Sequence, residues 1–338
     1  VQPYFTSATE WSNIQEALEL DQLDQILEPM ARRLVTDLEL DLAKFMRINT
    51  GLNYGARGTA VDAWSDVAGA GAMMDSVGVP MSDNKYYLMN PFTTTSLASA
   101  QSGLNAADGL VRTAFEKAQI ASNFGGMKAL TSNALSSYTS GSTTDRLGDL
   151  KTAPDATYVT AKDTMQQTMV IETLGTGTIE AGDQIQVAGV NRLNIATRQL
   201  ILDATGAAVP WTGTVLSVVT IAGNEATVVV SGAAIYEANG QYNNVDAAPA
   251  AGAVVTILGA AATVYQPNLF YTEQAFGLGT VKLPKLYSTD TVATTSDGMS
   301  IRVSKYSDGD ANTQKIRFDC LPAYACFNPN FAGQGYGV

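Results

Sequence analysis

The texture of this chain changes abruptly near Gly125 and changes again after Pro267. From Ser136 to Thr263 the sequence is rich in Thr, Val, Gly and Ala. Alternating apolar runs recur at Met169–Leu174, Gln184–Val187, Val215–Ile221 and Ala226–Val230. Turn signals separate them at Ala181-Gly182-Asp183, Asp203-Ala204-Thr205-Gly206 and Ala222-Gly223-Asn224. A period of two buries one face of a strand, and short strands at this spacing predict a small antiparallel barrel or sandwich.

The flanking sequence has another period. From Glu10 to Arg47 charges are dense and apolar residues follow helical spacing. Ser12 with Gln15 forms a capping-box pair for a helix over Asn13–Leu27. Pro29 suits the first turn of a second helix, where its missing N–H costs nothing. In that helix Met30, Leu34, Leu38, Leu42 and Phe45 share one stripe. A third helix is expected from Ala60 to about Ser76, with Trp64, Val67 and Met73 facing inward. Lys85–Met89 reads as a strand stopped at Asn90-Pro91, followed by helical segments near Ser96–Gly103 and Ala107–Ala118. Beyond Pro267, strands are expected around Leu269–Tyr271, Ala275–Leu278, Ile301–Tyr306 and Ile316–Cys320. An α+β body thus leaves for an all-β module and returns, the layout of an inserted domain.

Composition narrows the chemistry. The 338 residues are 46% hydrophobic but only 15% charged, and none is histidine. Ser-His-Asp and Cys-His catalysis and His-based zinc sites are therefore excluded. A net charge of −12 disfavours nucleic-acid-binding and anionic-membrane surfaces. The longest apolar stretch, Gly252–Tyr265, is too short to span a bilayer. No signal peptide is visible, and starting at Val1 rather than Met, the chain is expected to lack residues upstream. Two cysteines, Cys320 and Cys326, are expected to be buried thiols rather than zinc ligands.

Other motifs read as structure. Thr173-Leu174-Gly175-Thr176-Gly177-Thr178 resembles a phosphate loop, but no Gly-Lys-Ser/Thr and no helix follow, so a β-module loop is expected. Asp308, Asp310 and Asn312 have the spacing of a calcium-loop start, but helix flanks are missing, and a solvated hairpin loop is expected. Asp37, Glu39 and Asp41 are expected on the polar face of the second helix or at a subunit contact. Tyr324, Phe327, Phe331 and Tyr336 suit either an interface anchor or terminal packing. No catalytic, cofactor-binding or metal-binding residue is assigned, and no cofactor is expected.

One ordered set of segments carries a resemblance. Ala31-Arg32-Arg33-Leu34 through Glu39-Leu40-Asp41-Leu42-Ala43 is followed by Asp62-Ala63-Trp64 and Tyr86-Tyr87-Leu88-Met89-Asn90-Pro91. Ala181-Gly182-Asp183-Gln184-Ile185-Gln186-Val187-Ala188-Gly189-Val190 comes next, then Asn268-Leu269-Phe270-Tyr271-Thr272-Glu273-Gln274-Ala275-Phe276-Gly277-Leu278. The set resembles tailed-bacteriophage major capsid proteins, in particular the insertion-domain-bearing coat proteins of the short-tailed Salmonella phage group.

The resemblance implies the Johnson capsid fold, with a spine helix over about Pro29–Ile48, peripheral and axial domains and an inserted β-barrel. Residues 1–28 would be the remnant of an N-terminal arm or extended loop with a first helix, and little of either precedes Thr9. The peripheral domain would take 29–84, the axial domain 85–135 and 264–287, the barrel 136–263, and the peripheral return and C-terminal tail 288–338. It also implies a major capsid protein self-assembling as hexamers and pentamers into an icosahedral shell around double-stranded DNA, without specific DNA binding. Scaffolding and portal proteins would be partners, the virion capsid the location, and the host bacterial cytoplasm the place of assembly. In such proteins a loop of the insertion domain makes charge contacts between subunits, and Asp145, Arg146, Asp149, Lys151, Asp155 and Lys162 are its candidates here. The low charge fraction agrees, because interface cores are depleted of charge. A β-rich surface- or carbohydrate-binding phage tail or adhesin protein is the alternative, and an enzyme is the weakest reading.

Overall fold

The computed structural model describes residues 4–12, 23–102, 117, 118, 120–296 and 298–336. The chain forms two compact units, Val1–Phe45 with Phe276–Ala325, and Met46–Ala275 with Cys326–Val338.

The first unit holds most of helix α1 (Leu23–Ile48) and a four-stranded antiparallel sheet. The sheet order is Phe5–Ser12, Thr313–Cys320, Ser300–Asp308, Thr291–Thr294. α1 differs from expectation. It runs unbroken through Pro29, so the proline does not begin a second helix. Its ring removes one hydrogen bond, to the carbonyl of Gln25, at a solvent-facing position, and the helix tolerates the loss. Of the helix expected over Asn13–Leu27, residues 13–22 lie outside the described residues, and the rest belongs to α1. Ser12 ends a strand. The apolar stripe is as expected, with Leu34 and Leu38 buried. Phe45 reaches the rings of Phe276, at 6.4 Å, and Tyr324, at 5.5 Å. Asp37 and Glu39 are exposed, whereas Asp41 is half-buried.

In the second unit, α2 (Trp64–Val77) and α3 (Pro91–Ser102) accompany a six-stranded mixed sheet. Its order is Leu52–Tyr54, Ala332–Gly335, Asn268–Thr272, Lys85–Met89, Met127–Thr131, Asn123–Phe124. Val67, Met74, Tyr87, Leu97 and Phe270 share the core between them. Gly333 has no side chain because Phe270 fills its place: a Cβ would stand 2.1 Å from the Phe270 ring. Trp64 does not face inward; it is 57% exposed in the first turn of α2, ahead of the core that begins at Val67. α3 starts earlier than the apolar pattern suggests, because the Asn90 side chain accepts the Thr93 N–H at 2.7 Å and Pro91 supplies a preset first turn. The helix expected over Ala107–Ala118 lies almost entirely outside the described residues.

The same unit contains a closed barrel of six antiparallel strands. Around it run Gln184–Val187, Gly213–Val215, Ala226–Ser231, Gln166–Glu172, Leu147–Leu150 and Val254–Ile257. The short helix α4 (Tyr158–Ala161) joins two of them. Alternate residues Gln167, Met169 and Ile171 are buried, as a period of two requires. Trp211 fills the barrel and donates its indole N–H to the Gly232 carbonyl at 2.9 Å. The chain enters and leaves through one ribbon, with Tyr138 paired opposite Tyr265. The fold is thus α+β with a closed barrel.

Candidate functional site at the root of the barrel

The ribbon that admits the chain to the barrel also gathers an unusual set of side chains. Arg47 comes from the last turn of α1, and Arg57 from the loop after Leu52–Tyr54. Arg146 leads into the barrel strand Leu147–Leu150, and Asp183 closes the turn before Gln184–Val187. Tyr138 and Tyr265 are the ribbon pair, and Tyr336 follows the last strand.

Asp183 is fully buried and is the only carboxylate among these residues. Its Oδ2 accepts the backbone N–H groups of Gly141 at 2.9 Å and Glu180 at 3.0 Å, which fixes the turn. Arg57 Nη1 lies 3.5 Å from Asp183 Oδ1 and Arg146 Nη1 lies 3.9 Å from Oδ2, ionic contacts longer than hydrogen bonds. Arg57 donates to the Tyr138 hydroxyl and, at 3.2 Å, to the Gly182 carbonyl. Arg146 donates to the Ala260 carbonyl at 2.6 Å. Arg47 stacks on the Tyr138 ring, its Cζ 4.2 Å from the centroid. Tyr336 donates within a network with Gln184 and Gln334, at 3.1 and 2.9 Å, and Gln334 reaches the Arg47 carbonyl at 2.9 Å.

The electrostatics are lopsided. Burial pushes the Tyr138 phenol up to about 12 and raises that of Tyr336 as well, so both are neutral near pH 7. Burial, and also the neighbouring Arg57, hold the Arg47 guanidinium below its ordinary value. Tyr336 also lines a cavity of about 150 Å³ with Tyr54, Tyr87, Asp62 and Asp66.

A second buried cation fastens the same root. Arg192 donates to the carbonyls of Gly51 and, at 2.8 Å, Thr212, and to Asn330 Oδ1 at 3.2 Å. It thereby ties the barrel to the start of the six-stranded sheet and to the C-terminal segment. Its burial lowers its pKa to about 9.

The six residues singled out from sequence are placed differently from one another. Only Arg146 enters the hub. Asp145 is exposed. Asp149 accepts a hydrogen bond from Thr173 at 2.8 Å. Lys151 pairs with Glu225 on the surface. Asp155 accepts from the Thr157 N–H and hydroxyl and from the Thr160 hydroxyl, which starts α4 and holds its carboxyl below the usual range. Lys162 stands exposed just after α4. Of the hub residues only Arg146 is among the sequence candidates, because residues 47, 57, 146 and 183 converge only in three dimensions; the one local signal for the others is the pair Arg47 and Arg57 bracketing Gly51 and Gly55.

The remaining motifs resolve as structure. The Gly175–Gly177 loop joins two strands without a following helix. Asp308–Asn312 is a hairpin loop with Asn312 left-handed at φ 53°, and no cluster of three potential metal ligands occurs among the described residues. Both cysteines are free thiols, but only Cys320 is buried as expected; Cys326 is half-buried. Tyr336 is buried and Phe331 packs on the sheet core, whereas Phe327 is 67% exposed.

The family described as P22 coat protein, gene protein 5, matches residues 4–337 of the chain. The chain belongs to this coat protein family. It is also 47% identical, over 339 aligned residues, to a major capsid protein of Acyrthosiphon pisum secondary endosymbiont phage 1. That match covers 99% of this chain and 79% of the relative. Among solved structures, it is similar to one of Mycobacterium phage Che8 at 12% identity and TM-score 0.47, covering 98% of this chain and 70% of that one. A capsid structure of Cyanophage P-SCSP1u gives 14% identity and TM-score 0.46, with 99% and 72% covered. The coat protein is accordingly a structural component of a phage capsid, and the tail or adhesin alternative has no support. Among its described residues no helix is long and apolar enough to cross a membrane.

Proposed function

We propose that many copies of this coat protein assemble as hexamers and pentamers into an icosahedral head shell that encloses double-stranded DNA, and that the chain performs no catalysis. The observation that carries this reading is the 47% identity to a major capsid protein across 99% of the chain. The α+β body with an inserted barrel agrees with the Johnson fold, with α1 as its spine. Residues 29–84 and 288–338 would then form the peripheral domain, 85–135 and 264–287 the axial domain, and 136–263 the insertion. A net charge of −12 would let packaged DNA slide past the wall without condensing on it. Scaffolding and portal proteins would take part in assembly in the host cytoplasm.

The surface charges Asp145, Asp149, Lys151, Asp155 and Lys162 are the candidate inter-subunit contacts, with Arg146 holding their segment to the hub. Reversing charge at Lys151 and Lys162 together is expected to weaken shells while leaving the subunit folded; shells of unchanged stability would remove these residues from the interface. The assembly itself is tested by negative-stain microscopy of the expressed chain, with and without a scaffolding protein. Shells, capsomers or aberrant spirals are expected, and a monomer under both conditions would refute the proposal.

A further inference from the structure

The hub at the root of the barrel is unbalanced in a way that the coat-protein role does not account for. Three guanidiniums, from Arg47, Arg57 and Arg146, surround the single carboxylate of Asp183. The phenols of Tyr138, Tyr265 and Tyr336 also face them. The excess is two positive charges, in a chain whose overall sign is negative. Arg47 is only 5% exposed, and the Arg57 and Arg146 side chains are 2% and 13% exposed. Buried charge without a counter-charge is costly, and so is a buried N–H without an acceptor.

Both deficits fall in the same place. Arg47 Nε and Nη1, Arg57 Nε, and Arg146 Nε and Nη1 are buried and have no hydrogen-bond partner. Gly182, which has no side chain, lies against the edge of Arg47. Gly182 has φ 101°, and a Cβ built on it would stand 3.4 Å from Arg47 Nε. An arginine presents five N–H donors and no acceptor, so only acceptors satisfy these groups. Water accepts hydrogen bonds but leaves both excess charges in place; a small anion accepts the same hydrogen bonds and halves the excess.

We propose that this hub is a binding site for one small monovalent inorganic anion, a halide such as chloride, held by the unpartnered N–H groups of Arg47, Arg57 and Arg146. Phosphate or a carboxylate ligand is disfavoured by its size, because the guanidiniums that would hold it are almost wholly enclosed. The anion joins α1, the ribbon and the barrel turn, so its occupancy stiffens the root on which the barrel is mounted.

The test compares thermal unfolding of the full chain in chloride and in gluconate, a much bulkier anion, at matched ionic strength. Chloride well above its Kd is expected to raise Tm by about 2–4 °C. The increment is expected to vanish in Arg47→Met and to persist in Lys151→Met, a surface control. In parallel, crystals of the wild-type chain soaked in bromide are expected to show an anomalous peak among the three guanidiniums, which keeps the proposal testable if Arg47→Met does not fold. Equal Tm in the two salts without a bromide peak would overturn it and leave only water in the site. A chloride effect that survives intact in Arg47→Met would overturn it too, by placing the anion elsewhere.

Discussion

Asp319 shows how much one residue can carry in this protein. It is fully buried in the strand Thr313–Cys320, opposite Thr6 of the N-terminal strand. Its carboxylate accepts from Arg302 Nε at 3.1 Å and Nη2 at 2.6 Å, and from Thr6 at 3.0 Å, with Arg317 Nε 3.0 Å away. Burial alone would raise its pKa, but hydrogen bonds from Tyr4, Arg302 and Thr6 and the charge of Arg317 bring it below the ordinary 3.8. A depressed carboxyl pKa contributes stability that is present above the ordinary value and lost as pH falls through the folded one. Hydrogen-exchange protection of residues 5–12 should therefore drop on acidification below about pH 3.8. Asp319→Asn should cost about 3–5 kcal/mol at neutral pH, because it strands two buried or half-buried arginines, and should remove that acid dependence. Arg192 makes the same point with opposite charge. Arg192→Met leaves two backbone carbonyls and Asn330 Oδ1 without their donor, and should lower stability by about 3 kcal/mol in chemical denaturation. Neither cluster was legible in the sequence. Their members are far apart along the chain, and a buried Arg or Asp looks the same in one dimension as an exposed one.

Individual elements were more legible. Strands of the barrel follow the period-two runs because one face of each is buried against Trp211 and its neighbours, and the signal is local. Lys85–Met89 is recovered to the residue, since Asn90-Pro91 both stops the strand and starts α3. Helix α1 was misread at Pro29, where a solvent-facing proline costs one hydrogen bond in a helix of 26 residues held by its buried stripe. The glycines of the Thr173–Thr178 loop are structural, for a reason that appears only in three dimensions. Gly177 adopts φ 132°, and a Cβ there would come within 2.7 Å of the Thr143 backbone nitrogen. Gly177→Ala should therefore destabilise the barrel by about 2 kcal/mol, read as an earlier loss of the buried Trp211 fluorescence on heating, without affecting any nucleotide binding.

For the whole molecule, the sparse charge has one reading under the family assignment. A coat protein turns much of its surface toward copies of itself, and low charge suits such contacts. The exposed apolar residues Phe92, Met81 and Val159 are compatible with that demand. Whether this chain builds the shell is read from a cryo-electron-microscopy reconstruction of the assembled particle. It is expected to show a closed shell of five- and six-membered rings, each subunit tracing this chain with one six-stranded barrel rooted at Arg47, Arg57 and Asp183. A particle whose shell is built from another polypeptide, or a chain that stays monomeric with its assembly partners present, would show that this chain is not the shell subunit.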